Sequence, residues 1–242
     1  NGSGVTNSAG TNGASIASTY SANTTSGLSI VTYSGTGSNG TVYHGLGSVP
    51  EMMIFKTKTG AVDNWFMYHV GSNTNPASTR MLLNLNISRA TNTTYLNATA
   101  PAANVLTVGT DSGTNLATNT YVAYVFAPVE GFSAFGSYTG NGSTDGPFIY
   151  TGFRPAWWLI KHTTSTESWY IFDAERSTYN AVNDYLLPNA SNAEGVNITN
   201  RDHDFLSNGF KIRGTNGAIN TNGSVYIYAA FAENPFKNAL AR

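Results

Sequence analysis

Cysteine is absent from all 242 residues, which excludes disulfides, thiolate metal sites and cysteine nucleophiles. Charge is nearly as scarce. Asp, Glu, Lys and Arg make up 10% of the chain, against about 25% in an average soluble protein. The 12 basic residues are scattered and are balanced by 13 acids. No Lys/Arg cluster is present to neutralise nucleic-acid phosphates or to anchor the chain on an anionic membrane surface. No apolar run approaches the roughly 18 residues of a membrane-spanning helix. Nucleic acid and membrane insertion are therefore not expected of this chain.

Ser, Thr, Asn and Gly take the place of charge. They supply solubility, and they suit a β-rich protein in which turns use Asn and Gly and strands use Thr. Hydrophobic residues at 40% and aromatics at 12% are enough for a packed core. Residues 1–26 carry almost no hydrophobic pattern and read as a low-complexity linker or assembly arm.

The remainder repeats at an interval of 105 residues. Tyr33-Ser34-Gly35-Thr36-Gly37-Ser38 recurs as Tyr138-Thr139-Gly140-Asn141-Gly142-Ser143, and Met52-Met53-Ile54-Phe55-Lys56 as Trp157-Trp158-Leu159-Ile160-Lys161. Gly109-Thr110 recurs as Gly214-Thr215, and the run from Tyr121 to Ala127 as that from Tyr226 to Ala232. One register held over so many blocks marks a duplication. It divides the chain into repeat 1 (27–131) and repeat 2 (132–242, ending in a short tail).

β-Branched and aromatic runs bounded by Gly, Asn, Ser and Pro predict strands near 28–34, 41–46, 51–57, 64–69, 79–85, 104–109 and 120–127. Their counterparts fall near 133–139, 147–151, 156–162, 168–173, 184–187, 209–213 and 224–232. Segments 52–56 and 157–161 are apolar up to a terminal Lys, as in a strand covered on both faces at the centre of its sheet. Helical periodicity is nearly absent, and only 174–185 leaves room for a turn of helix. Strand spacing over about 100 residues per repeat points to an all-β chain of two tandem homologous β-sandwich (jelly-roll-like) modules, closely packed.

Candidate chemistry concentrates in repeat 2. Asp173, Glu175, Asp202 and Asp204 are the acids from which a glycosidase pair would be drawn. The plainer reading is loop acids that pair with Arg176 or Arg201. Asp202 and Asp204 flank His203 and, on an extended segment, point the same way. With loop carbonyls they form a possible Ca²⁺ site, and no other cofactor is expected. Trp157, Trp169, Tyr170 and Tyr179, with Asp173, form the candidate saccharide-binding set, because rings stack on sugars while Asp and Asn hydrogen-bond them. The competing reading places most of these rings in the core. No Ser-His-acid arrangement can be nominated, and the Gly-rich stretches near 35–40 and 140–146 read as turns.

Four stretches carry a resemblance: Gly136 to Ser143, Gly152 to Trp157, Asp204 to Ile212, and Tyr226 to Lys237. Together they resemble an uncharacterised duplicated β-domain family found in phage virion structural and tail-fibre-like proteins. The resemblance covers roughly residues 28–237 and brings no catalytic or binding residues with it. It implies a virion component at the tail or outer surface, a homo-oligomer associated with other virion proteins, and no enzyme. A lectin-like module for host surface glycans is the alternative. A polysaccharide depolymerase and a non-viral surface filament protein stand behind it.

Overall fold

The structure, a computed structural model, describes residues 4–234. The tail expected at the end of repeat 2 (235–242) lies outside the described residues. The chain forms two compact units: Asn1–Leu83 with Arg89–Pro128, and Asn84–Ser88 with Val129–Arg242. The division falls between Pro128 and Val129, and Asn84–Ser88 groups with the second unit.

In unit 1 the strands are β1 (Val5–Asn7), β2 (Ser18–Asn23), β3 (Leu28–Ser34), β4 (Gly40–Tyr43), β5 (Met52–Thr59), β6 (Phe66–His69), β7 (Thr79–Leu82), β8 (Ala90–Thr91), β9 (Val105–Val108) and β10 (Thr120–Phe126). They form an antiparallel sheet in the order β1-β2-β3-β10-β5-β6-β7-β8 and a separate β4-β9 pair. Unit 2 contains β11 (Ser133–Thr139), β12 (Phe148–Tyr150), β13 (Pro155–His162), β14 (Tyr170–Asp173), β15 (His203–Leu206), β16 (Gly209–Ile212) and β17 (Val225–Ala232). Its sheets run β11-β17-β13-β14 and β12-β16-β15. One single-turn helix precedes the last strand of each unit: α1 (Ser112–Asn115) and α2 (Gly217–Asn220).

Alternation decides which way each strand faces. Along β3 and β10, every second residue is buried, including Val31, Tyr33, Tyr121, Ala123 and Val125. β5 and β13 lie inside their sheets, as their continuous apolar runs predict. In unit 2 the two sheets share one core, which joins Trp158, Ile160, Phe172 and Tyr226 of the first to Ile149, Phe205, Phe210 and Ile212 of the second. The fold is thus all-β and sandwich-like.

The duplication is visible as topology. Order β3-β10-β5-β6 in unit 1 is order β11-β17-β13-β14 in unit 2, and β4-β9 corresponds to β12-β16. It is also visible as a hydrogen-bonded node built twice from equivalent residues. Buried Asn115 donates through Nδ2 to Ser38 O (2.6 Å) and Gly109 O (2.7 Å), while its Oδ1 accepts from Thr36 N (2.8 Å). Asn220 does the same with Ser143 O (2.8 Å), Gly214 O (2.9 Å) and Asn141 N (2.8 Å). Tyr33 and Tyr121 stack at 5.4 Å, and Tyr138 and Tyr226 at 5.1 Å. Their hydroxyls donate to main-chain carbonyls of the neighbouring single-turn helix in each unit. A side-chain oxygen caps each helix: Asp111 accepts from Gly113 N, and Asn216 from Ala218 N. The repeated glycines follow from this geometry. A Cβ on Gly35 would stand 2.2 Å from Leu116 O, and one on Gly140 would stand 2.4 Å from Thr221 O.

Three expectations change. Within 1–26, expected as a linker or assembly arm, the described residues include strands β1 and β2, which extend the sheet of unit 1, with Ser18–Asn23 registered against Tyr33–Leu28. A polar Ser/Thr strand needs no apolar pattern of its own when an existing edge supplies its main-chain partners. The segment 184–187 forms isolated bridges, Ile171 with Leu186 and Tyr185 with Gly195, where unit 1 has strands β7 and β8. The stretch 174–185 holds no helix. It opens with a turn capped by Asp173, which accepts from Glu175 N (3.2 Å) and Arg176 N (2.9 Å).

Candidate functional site

Of the nominated residues, the structure brings together Trp157 and Asp173, which are register partners across β13 and β14. Trp169 is fully buried, and its main-chain N donates to Asn189 Oδ1 at 2.8 Å. Tyr170 is buried in the shared core of unit 2. The Arg201 guanidinium lies 5.1 Å from the rings of both Tyr170 and Tyr185. Burial raises the Tyr170 phenol, and nearby Arg201 opposes the rise. Trp157 is half-buried on the face of β13 opposite Trp158 and packs on Phe231 at 5.5 Å. Tyr179, at 85% exposure, is the one member of the set open to solvent. A ring must present a face to stack on a sugar, and Trp169 and Tyr170 do not.

The acids hold local structure. Asp173 caps its turn and forms an ion pair with Arg176, whose Nε also reaches Glu194 Oε1 at 2.9 Å. Asp202 accepts from Asn183 Nδ2 at 3.0 Å. Asp204 pairs with Arg213 Nε at 2.7 Å. Glu175 is exposed. Among the described residues, no three of His, Cys, Asp and Glu gather as a metal-binding group.

His203, between those acids in sequence, turns inward and is completely buried. Its Nε2 accepts from Trp158 Nε1 at 2.9 Å, which leaves the proton on Nδ1, facing Arg201 O at 3.3 Å. The rings of Trp158, Phe172 and Phe205 surround it. Burial holds its pKa down to about 3. Lys161 is also buried, with Nζ donating to His162 O (2.7 Å) and Ser165 O (2.8 Å). Desolvation lowers its ammonium to about 8, with Glu167 opposing the shift.

Unit 2 also exposes an aromatic face that sequence reasoning did not nominate. On β12, Ile149 points into the core, so Phe148 and Tyr150 point out, at 44% and 67% exposure. Across the sheet they register with Lys211 and Gly209 of β16, and these register with Asp204 and Leu206 of β15. Gly209 leaves room for the Phe148 ring, whose Cζ would stand 3.0 Å from a Cβ placed there, and Leu206 beyond it is exposed. Two ion pairs border the patch, Lys211 with Asp145 (2.6 Å) and Arg213 with Asp204. The signal was present as the triplet Phe148-Ile149-Tyr150 in a strand bounded by turns. Two aromatic residues spaced by two on a strand share a face, but only the packed structure says that this face is the outer one.

No curated protein and no solved structure matches the chain. A family model, described as a domain of unknown function (DUF7483), matches residues 1–235. With nearly its whole length matched, the chain belongs to the DUF7483 family, which carries no assigned function.

Proposed function

We propose that the chain is a structural subunit of a phage particle, a tail fibre, appendage or surface-decorating component, made of two tandem homologous sandwich modules. It works by assembly and presentation, as a homo-oligomer among other virion proteins. The observation that carries this reading is how the polar side chains are used. Asn115, Asn220, Asp111, Asp173 and Asp204 brace turns, caps and strand ends within each unit. The charge-poor composition and the sequence resemblance support the same reading. Rigid, twice-built frames suit a protein whose work is to hold loops and edges in place. Electron microscopy of the purified chain and of the native particle tests it. Symmetric assemblies with two lobes per subunit are expected, and a monomeric chain that is absent from the particle would sink the reading.

A second reading, a lectin-like module for host surface glycans, is favoured by the Phe148–Tyr150 face. Exposed rings beside charged hydrogen-bonding groups suit the apolar face and the hydroxyls of a pyranose. On a glycan array, specific signal is expected from the native chain, with a loss of tenfold or more for Tyr150→Ala. Equal signal from the two proteins, or none from either, removes this face as a glycan site.

A further inference from the structure

The two units also differ beside β3 in unit 1 and β11 in unit 2. In unit 1, β3 is covered by β2, with Ile30 opposite Ser21 and Thr32 opposite Thr19. The equivalent strand of unit 2, β11, stands at the end of its sheet, with β17 as its one strand neighbour among the described residues. The reason is chain length. β10 ends at Phe126 and β11 begins at Ser133, so the connection is too short to supply a counterpart of β2.

The direction of the free groups follows from the ladder. Gly140 N donates to Ser224 O, and Ala232 N donates to Phe132 O. Even-numbered residues of β11 therefore bond across to β17, and the amide and carbonyl of Ser137 point away from the sheet. Ser137 and Thr139 are exposed. At its start the edge is closed by the chain itself, since Ser133 N donates to Val129 O at 2.9 Å; beyond it, Ala134–Thr139 contains no charge, no proline and no register break against β17. Sheet edges left in that state pair with other strands, and Ala134–Thr139 carries neither a charge nor a proline that would oppose it.

We infer that β11 is an assembly edge that pairs antiparallel with β11 of a second copy, about a two-fold axis at Ser137. The occupant follows from the edge itself. β2 already belongs to its own sheet, whereas two β11 edges match in length, lack of charge and hydrogen-bond pattern, and neither has to leave a sheet. The pairing is isologous and joins two four-stranded sheets into one of eight. It gives the proposed assembly role a defined contact.

The absence of cysteine makes the test clean. On the axis, Ser137 faces its own copy in a hydrogen-bonded pair, with Cα atoms about 5.5 Å apart, within the range that a disulfide spans. The Ser137→Cys chain, mildly oxidised, is expected to form disulfide dimers at least tenfold faster than Ser191→Cys, which places the thiol in an exposed loop. Sedimentation of the native chain is expected to show dimers or multiples of dimers. Ser137→Pro removes the outward N–H, and Ser137→Lys sets two ammonium groups against each other. Both are expected to lose that association while keeping the native circular dichroism. A native chain that stays monomeric, with the two cysteine variants cross-linking equally, overturns the edge and the assembly role together. Association that survives both Ser137→Pro and Ser137→Lys overturns the edge alone and leaves assembly to another surface.

Discussion

An Asn220→Asp variant is expected to lose the fold of unit 2, although the substitution barely changes the side chain's shape. Asn220 is fully buried, and its Nδ2 satisfies two carbonyls, Ser143 O and Gly214 O. A carboxylate oxygen in that place faces both carbonyls with no proton to offer and brings a charge into the core of the node. Two unsatisfied acceptors and a desolvated charge cost on the order of 3–5 kcal/mol, a large part of the stability of a domain. Hydrogen exchange of the full chain reads the outcome by region. Protection in 133–232 is expected to collapse while 28–126 keeps most of its own, and Asn115→Asp is expected to give the opposite pattern. A change of less than about 1 kcal/mol in the affected region would mean that the node is not the support its bonds suggest.

Acid is expected to weaken unit 2 through His203. The folded protein holds this imidazole neutral down to about pH 3, whereas the unfolded chain takes up the proton near its ordinary value of about 6.5. Between those values the unfolded state binds more protons, so stability is full above about pH 6.5 and falls as the pH drops toward 3. A shift of this size is worth on the order of 5 kcal/mol across the window. His44 and His162, both lowered by burial, act in the same direction, so the contribution of His203 is read as a difference between proteins. Urea midpoints followed by tryptophan fluorescence between pH 4 and 8 are the measurement. The native chain is expected to show a steep acid limb. His203→Gln, whose amide oxygen can still accept from Trp158, is expected to start lower at pH 7 and fall less. Parallel curves for the two proteins would remove His203 as the cause.

Much of the frame was legible in the sequence, and what was legible was local. The β-branched and aromatic runs near 28–34 and 120–127 placed both strands, which form as Leu28–Ser34 and Thr120–Phe126. The unbroken apolar runs at 52–56 and 157–161 marked the strands that lie inside their sheets. The interval of 105 residues returns in the structure as a node whose Tyr, Gly and Asn members meet in the same way twice, although Asn115 and Asn220 were not among the repeated blocks read from the sequence. The candidate site was far less legible. Trp169 and Tyr170 look the same in sequence whether a ring faces solvent or core, and Asp173, read as a ligand group, caps a turn.

The sequence alone therefore determined that this chain is β-rich, duplicated and without thiol chemistry, because side-chain period, turn residues and composition act over a few neighbouring positions. Tertiary structure decided the rest. It made Ser18–Asn23 a strand because the edge of β3 was there to receive it. It turned His203 inward between Asp202 and Asp204, left Phe148 and Tyr150 outside, and gave β11 one strand neighbour, β17, among the described residues. Each of these depends on pairing between residues distant in sequence, and a strand's own residues do not say which strand lies beside it or which of its faces another sheet will cover.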